Sequence, residues 1–240
     1  EFLVSSAVFM PDKNHLATGA GDNSVRIWDM AAGTQQAVLT PTGRIGTLAV
    51  SPDGNWIATG STGTDVKLWN ARTGEARGDL SGHESEVSAL MFSPTGDRLV
   101  SGDGRGHLRV WRKSSDAWEF ERELMGHSGA ITAIRFMPDG KRLVTASGDH
   151  SCAQWDLATG MEDRPLVLKH SDYVSSLDMS PDGTRVLTSC DDGSVRLWRL
   201  ADAKQLASVQ SPGRPFTSVG FSPDGSTAIL TSPEDKRVSL

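Results

Sequence analysis

The 240-residue chain holds only two cysteines and one tyrosine, and nowhere does it contain 18 consecutive apolar residues. The missing apolar run excludes a membrane-spanning helix, so no membrane is expected as a partner. The net charge is −6 and no dense basic block is present, so binding to nucleic acid through phosphate neutralisation is not expected. Catalytic signatures are equally scarce: there is no Gly-x-Ser-x-Gly elbow, no Walker-type loop and no His-Glu-x-x-His. His15, His107 and His150 lie at or near turns and share no metal-ligand spacing with a second His or Cys. The glycine-rich stretches Thr18-Gly19-Ala20-Gly21 and Ser101-Gly102-Asp103-Gly104-Arg105-Gly106 sit between strands. A phosphate cradle needs a following helix N-terminus, and nothing reads as a long amphipathic helix. These gaps point to a chain with no catalytic residues, no cofactor, no metal and no small-molecule substrate.

What the chain does have is a period. Trp28, Trp69, Trp111, Trp155 and Trp198 each stand 17 residues after a proline (Pro11, Pro52, Pro94, Pro138, Pro181), with steps of 41, 42, 44 and 43. Pro223 follows 42 residues after the fifth proline. Self-similarity of this length marks a repeat architecture. The units span approximately 1–40, 41–81, 82–125, 126–168, 169–211 and 212–240, read as one domain over 1–240.

Within a unit, an apolar run such as Val87 to Phe92 or Ile131 to Phe136 breaks at a Pro-Asp-Gly turn. Proline presets the first turn dihedral, and Asp-Gly supplies the positive φ of a tight hairpin. A second run (Leu143-Val144-Thr145) and a third that alternates with period two (Val25-Arg26-Ile27-Trp28) follow. A more variable fourth segment ends near Leu39, Leu80, Leu124 and Leu168. Four short strands per unit predict an all-β fold, a β-propeller of four-stranded antiparallel blades. In the fourth segment of unit three, Trp118 and Phe120 are expected to cover the outer edge of the blade. Cys152 occupies a column of valines (Val25, Val66, Val195), and Cys190 one of small residues (Ala20, Ser61, Ser147). Both are expected to pack as small hydrophobes. Two unmatched cysteines point to a reducing compartment, and a cytoplasmic location is expected.

Literal Trp-Asp pairs at Trp28-Asp29 and Trp155-Asp156, and Gly-His pairs at Gly82-His83 and Gly126-His127, complete the pattern. In these columns the chain resembles the WD-repeat family over essentially its whole length. The resemblance implies a hydrogen-bonded tetrad in each blade: a buried Trp, a strand Ser or Thr, a His and a turn Asp. Counting back from Trp, the His slot lies at 28, the hydroxyl slot at 10 and the Asp slot at 6. Unit four fills all of them with His127, Thr145, Asp149 and Trp155, and unit five with His170, Thr188, Asp192 and Trp198. Unit three has His83, Ser101 and Trp111 but Arg105 in the Asp slot, and unit one has Thr18, Asp22 and Trp28. Unit two keeps Thr59 and Trp69 beside Pro41 and Gly63; unit six offers Thr231 and Asp235 without a His. Units four and five are therefore expected to be the stiffest, and units two and three the less determined.

Both ends cut through a repeat, and family propellers commonly close with seven blades, so a fragment lacking about one blade is expected. The resemblance also implies a partner face, formed by the residues three and five after the His slot and one before the Asp slot. In this chain those are Arg44, Thr62, Glu86, Ser88, Ala130, Thr132, Tyr173, Ser175 and Asp191, with Leu3 and Ser5 in unit one and Pro215, Thr217 and Glu234 in unit six. Tyr173, the sole tyrosine, is singled out, since Tyr and Arg are enriched at binding hot spots; its bland alternative is a rim aromatic covering a strand end. Arg44 and Glu86 have one too, a solvated cross-blade ion pair. The expected function is a non-catalytic scaffold that binds a protein or peptide on this loop face. The alternative is a regulatory or sensor propeller appended to a kinase, protease or NTPase, and a propeller enzyme comes third.

Overall fold

The structure is a computed structural model that describes residues 3–115, 117–159, 168–211, 214–232 and 238–239. The described residues form strands and turns and no helix. The chain divides into two compact units, 1–123 and 124–240.

The first unit holds three four-stranded sheets in sequential order. They are β1 (Val4–Phe9), β2 (His15–Ala20), β3 (Val25–Asp29) and β4 (Thr34–Leu39); β5 (Ile45–Val50), β6 (Trp56–Ser61), β7 (Val66–Asn70) and β8 (Ala76–Leu80); and β9 (Val87–Phe92), β10 (Arg98–Asp103), β11 (Leu108–Ser114) and β12 (Ala117–Leu124). The second unit repeats the pattern with β13 (Ile131–Phe136), β14 (Arg142–Ser147), β15 (Ser151–Asp156) and β16 (Leu168–Lys169), then β17 (Val174–Met179), β18 (Arg185–Cys190), β19 (Ser194–Arg199) and β20 (Lys204–Gln210). A three-stranded sheet of β21 (Ser218–Phe221), β22 (Ala228–Thr231) and β23 (Val238–Ser239) ends it. These antiparallel meanders are propeller blades, as the four-strand repeat predicts.

Local chemistry sets each hairpin. The Ser51 hydroxyl donates to Asp53 (2.5 Å) and accepts from the Trp56 N–H (2.9 Å), while Asp53 also accepts the Asn55 N–H (3.0 Å). Gly54 then takes φ +69°, a conformation that suits glycine. The first blade has Lys13 there instead, at φ 60°.

The core lies between consecutive sheets. Val25, Ile27 and Leu39 of the first blade pack against Ile45, Ile57 and Trp69 of the second. Leu68 and Leu80 of the second meet Val87, Leu99 and Trp111 of the third. In the second unit, Val144, Cys152 and Leu168 meet Val174, Val186 and Trp198. Each such side chain contributes about 1.5–3 kcal/mol by leaving water. Cys152 and Cys190 are free and buried, and burial pushes both thiols up. Trp118 and Phe120 part company. Trp118 is buried edge-on to Phe92 (5.4 Å) and Trp56 (6.2 Å), whereas Phe120 stays 52% exposed beside Trp111.

Two features let blades approach. Every complete blade carries a one-residue bulge in its first strand, at Ser5, Gly46, Ser88, Thr132 and Ser175. A bulge re-aims its side chain, and here it aims hydroxyls at the next blade. Ser5 donates to the Ile45 carbonyl (2.6 Å), Thr132 to that of Val174 (2.7 Å) and Ser175 to that of Phe216 (3.3 Å). The second feature is glycine nine residues before Trp. A Cβ on Gly60 would lie 2.8 Å from the Val87 carbonyl oxygen, and one on Gly19 2.6 Å from Ile45 Cγ2. We predict that Gly60→Val costs about 1–3 kcal/mol by overpacking. Gly46→Ala, whose new Cβ would meet only the Val87 carbonyl at an ordinary 3.8 Å, stays within about 0.5 kcal/mol. Urea unfolding distinguishes the two.

Candidate functional site

In every complete blade the Trp indole N–H donates to the hydroxyl 10 residues earlier on the neighbouring strand: Trp28 to Thr18 (2.8 Å), Trp69 to Thr59 (3.0 Å), Trp111 to Ser101 (2.8 Å), Trp155 to Thr145 (2.8 Å) and Trp198 to Thr188 (2.9 Å). The tetrad closes in unit four, where His127 Nε2 meets Thr145 Oγ1 (2.7 Å) and Nδ1 meets Asp149 (2.8 Å). The Asp149 carboxylate can only accept, so Nδ1–H donates to it, and in the neutral imidazole Nε2 then accepts from the Thr145 O–H.

Unit three departs from its expectation. Arg105, in the Asp slot, is exposed and pairs with Glu84 (3.1 Å). The carboxylate comes instead from Asp103 at the end of β10, which meets His83 Nδ1 at 3.1 Å while Nε2 meets Ser101 at 2.6 Å. Asp103 is fully buried and also accepts the N–H groups of Arg105 (2.9 Å) and His107 (3.0 Å). Burial raises its carboxyl, but the backbone donors and His83 outweigh that and hold it below the usual range. Unit three is thus a closed network and the most buried. Asp103 falls in the column otherwise filled by Ala20, Ser61, Ser147 and Cys190, so a lone carboxylate there was the available signal. Ser101, His83 and Asp103 stand in the order of a hydrolytic triad. However, the Ser101 side chain is buried and already accepts from Trp111, so it is shielded from any substrate.

Unit five departs in the opposite sense. Arg196 enters the network, with its guanidinium against Asp192 (2.5 Å) and His170 Nδ1 (2.6 Å). His170 Nε2 is buried without a hydrogen-bond partner among the described residues, while Thr188 makes with the Arg196 carbonyl (3.4 Å) the same contact that Thr145 makes with that of Ala153 (3.4 Å). The residue two before Trp explains the difference. Arg26 takes Asp22 in unit one (2.6 Å) as Arg196 does in unit five, whereas unit four has Ala153 and leaves Asp149 to His127. Asp235 and Glu234 lie outside the described residues.

Of the partner-face residues, Ser5, Arg44, Thr62, Glu86 and Ser88 come together around one cavity of about 370 Å³, floored by the buried Ile45 and Val87. Backbone bonds fix its rim: Thr62 N–H to the Arg44 carbonyl (3.1 Å) and Gly104 N–H to that of Glu86 (3.0 Å). The Arg44 and Glu86 side chains are exposed, and neither forms an ion pair among the described residues, so the cross-blade pair is not made. Leu3, 80% exposed, does not line the cavity. In the second unit the Tyr173 ring lies over Gly148, just past the end of β14, and is 36% exposed. Asp191 is exposed, and burial together with Asp172 and Asp192 raises its carboxyl. Ala130 contributes its carbonyl to Gly148 N–H (2.8 Å), Thr217 bonds the Thr231 carbonyl and Pro215 is half-buried. Thr132 and Ser175 are the bulge clamps described above.

Successive meander blades, each with a Trp–hydroxyl bond between neighbouring strands, define a repeat protein built of propeller blades. The family model described as "WD domain, G-beta repeat" matches residues 1–29, 33–70, 74–112, 118–156 and 165–199, and the chain belongs to this family. It is similar to the chromatin assembly factor 1 subunit FAS2 homolog of Oryza sativa subsp. japonica, 30% identical over 162 residues, 66% of this chain and 26% of the relative. It is 45% identical to Protein Notchless of Drosophila melanogaster over 115 residues, 45% of this chain and 24% of the relative. Similarity to the guanine nucleotide-binding protein subunit beta of Solanum tuberosum is 25% over 117 residues, 45% of this chain and 31% of the relative. The chain thus spans about a quarter to a third of these relatives. WD-repeat domains are in general non-catalytic interaction modules.

Two predictions follow from the networks. Asp103→Ala strands the buried His83 Nδ1–H and two part-buried backbone N–H groups and costs about 2–3 kcal/mol, while Arg105→Ala, which removes one exposed pair, stays within about 0.5 kcal/mol in chemical unfolding. Burial, then Arg196, lowers the His170 pKa from 6.5 to about 4. The unfolded chain therefore binds this proton before the folded one, and stability falls as pH drops from about 6.5 to about 4, by up to about 3 kcal/mol. His170→Gln should flatten that part of the stability–pH curve.

Proposed function

We propose that the chain is a non-catalytic scaffold that docks a protein or peptide on the face where the His-slot ends of its strands meet the Arg44–Glu86 cavity. The carrying observation is a polar cleft with an apolar floor and two opposite charges that remain unspent. An unpaired guanidinium and carboxylate held by backbone bonds on a rigid sheet give directional recognition with little ordering cost. Thr62 adds an exposed hydroxyl to the rim. Ser5 spends its hydroxyl on Ile45 and Gly19, and Ser88 bonds the Gly102 carbonyl, so both serve to shape the cleft. Within the second unit, Tyr173 and Asp191 stand in the corresponding columns, and Thr132 and Ser175 clamp neighbouring blades there. The closed, buried tetrads act as struts that hold the loops. Two buried free thiols support a cytoplasmic location.

The test captures partners on the immobilised chain and repeats the capture with Arg44→Glu and Glu86→Lys. Each reversal should weaken a captured partner at least about tenfold while leaving the unfolding midpoint unchanged. Undiminished capture of every partner by the combined variant of Arg44, Glu86 and Tyr173 would sink the reading.

A further inference from the structure

We propose that a second groove, between the first and second blades and at the opposite strand ends from the Arg44–Glu86 cavity, binds the guanidinium group of a partner's arginine. The groove encloses about 340 Å³ between the Pro11–His15 turn and the Asp53–Asn55 turn. It stands apart from the proposed docking face and does not depend on it.

The chain itself shows what such grooves hold. The residue four after each turn proline is His15, Trp56, Arg98, Arg142 and Arg185 in successive blades. Between the second and third blades, Trp56 fills the space, edge-on to Trp118 and beneath Lys113, whose ammonium lies 3.5 Å from Asp53. In the fifth blade Arg185 reaches across to donate to the Gly225 carbonyl of the next turn (3.1 Å) and lies over Phe221. In the third and fourth, Arg98 pairs with Asp97 and Glu121 (2.9 Å each) and Arg142 with Asp139 (3.0 Å), all within their own blades, so Arg185 is the arginine that shows the cross-blade geometry. The grooves are built alike: the turn glycine of one blade rests on the turn proline of the one before, as Gly225 does on Pro181 and Gly54 on Pro11.

The first groove holds both kinds of acceptor and lacks the guanidinium. Asp12 stands where Asp139 stands, and Gly54 where Gly225 stands. The short His15 replaces the arginine, with Nδ1 on Asp12 at 2.6 Å and Nε2 buried beside Gln36 without a hydrogen-bond partner among the described residues. When Nδ1–H donates to Asp12, Nε2 presents a lone pair. Guanidinium against imidazole is a pairing this chain already makes, at Arg196 and His170. Of the groove's lining residues, Asp12 and Asp53 are the carboxylates and the exposed Arg72 the guanidinium, and Asp53 also lies 3.5 Å from Lys113 of the third blade. A planar fork of donors suits this arrangement of acceptors better than a point ammonium.

The test titrates the chain with N-acetyl-arginine methylamide at several pH values between about 7 and 9, because the hydrogen bond to Asp12 raises the His15 pKa and only the neutral imidazole can accept at Nε2. The side-chain amide signals of Gln36 and Asn55, which line the groove and persist in every variant used, are followed by NMR. A saturable shift is expected, weakened about tenfold by Asp12→Asn. It should be absent in His15→Arg, whose own guanidinium fills the groove and raises the thermal midpoint. The norleucine analogue should give no shift. No saturable shift, an equal response to norleucine, lysine or acetate probes, or full binding by His15→Arg would overturn the proposal. If His15→Arg does not fold, Asp12→Asn alone decides.

Discussion

A buried indole N–H without an acceptor is costly, as it is for Trp118 outside the repeat column (which has none among the described residues), and the architecture of each blade gives the repeat tryptophan its acceptor. The tryptophan is the bulkiest side chain facing the preceding sheet, and it cannot pack there with an unsatisfied donor. A Ser or Thr directly across the hairpin meets the need in all five complete blades. That hydroxyl keeps one proton of its own. In the third and fourth blades an imidazole lies within 2.6–2.7 Å of the hydroxyl oxygen, and in the second, fourth and fifth the backbone carbonyl two residues before Trp (Lys67, Ala153, Arg196) lies at 3.4–3.5 Å. The Trp–hydroxyl bond is therefore constant, and the rest of each network varies around it.

What varies is decided by competition for a carboxylate. A guanidinium two residues before Trp is long enough to reach the turn Asp, and as a permanent charge it outcompetes a neutral imidazole. Arg196 does this against His170 and Arg26 takes Asp22 in a unit that shows no His in the tetrad slot, while Ala153 cannot reach. In the third blade Arg109 is diverted over the Phe120 ring (5.1 Å), and Asp103 approaches His83 from another direction.

The period, the four strands, the turns and the tryptophan's partner were all legible in the sequence, because each rests on spacing along one or two adjacent strands. The tetrads were legible only as residue types. Slot counting placed a complete network at His170, yet a side chain outside the counted slots, Arg196, breaks it. Slot counting also denied unit three its carboxylate, because Asp103 enters from a strand end rather than from the turn. The partner-face columns mixed two roles for a similar reason. Ser5, Thr132 and Ser175 occupy bulges, and a bulge changes where a side chain points without changing its place in the count. Arg44 and Glu86 precede their strands and keep their side chains outside, which is why those two survive as free charges on the face.

The glycines nine residues before Trp carry a consequence for how such a chain can evolve. Gly19 accommodates Ile45 and Leu48, and Gly60 accommodates Val87, whereas the same column holds Ala146 and Ser189 in the second unit. Each unit is thus moulded to the one that follows it. A recombination event that copied or reordered single units would join surfaces never selected for each other, and a Cβ would press on a neighbour's backbone at the new seam. Lineages that gain or lose blades should do so most readily in blocks of adjacent units, with the seams that break and rejoin falling where the column is already glycine.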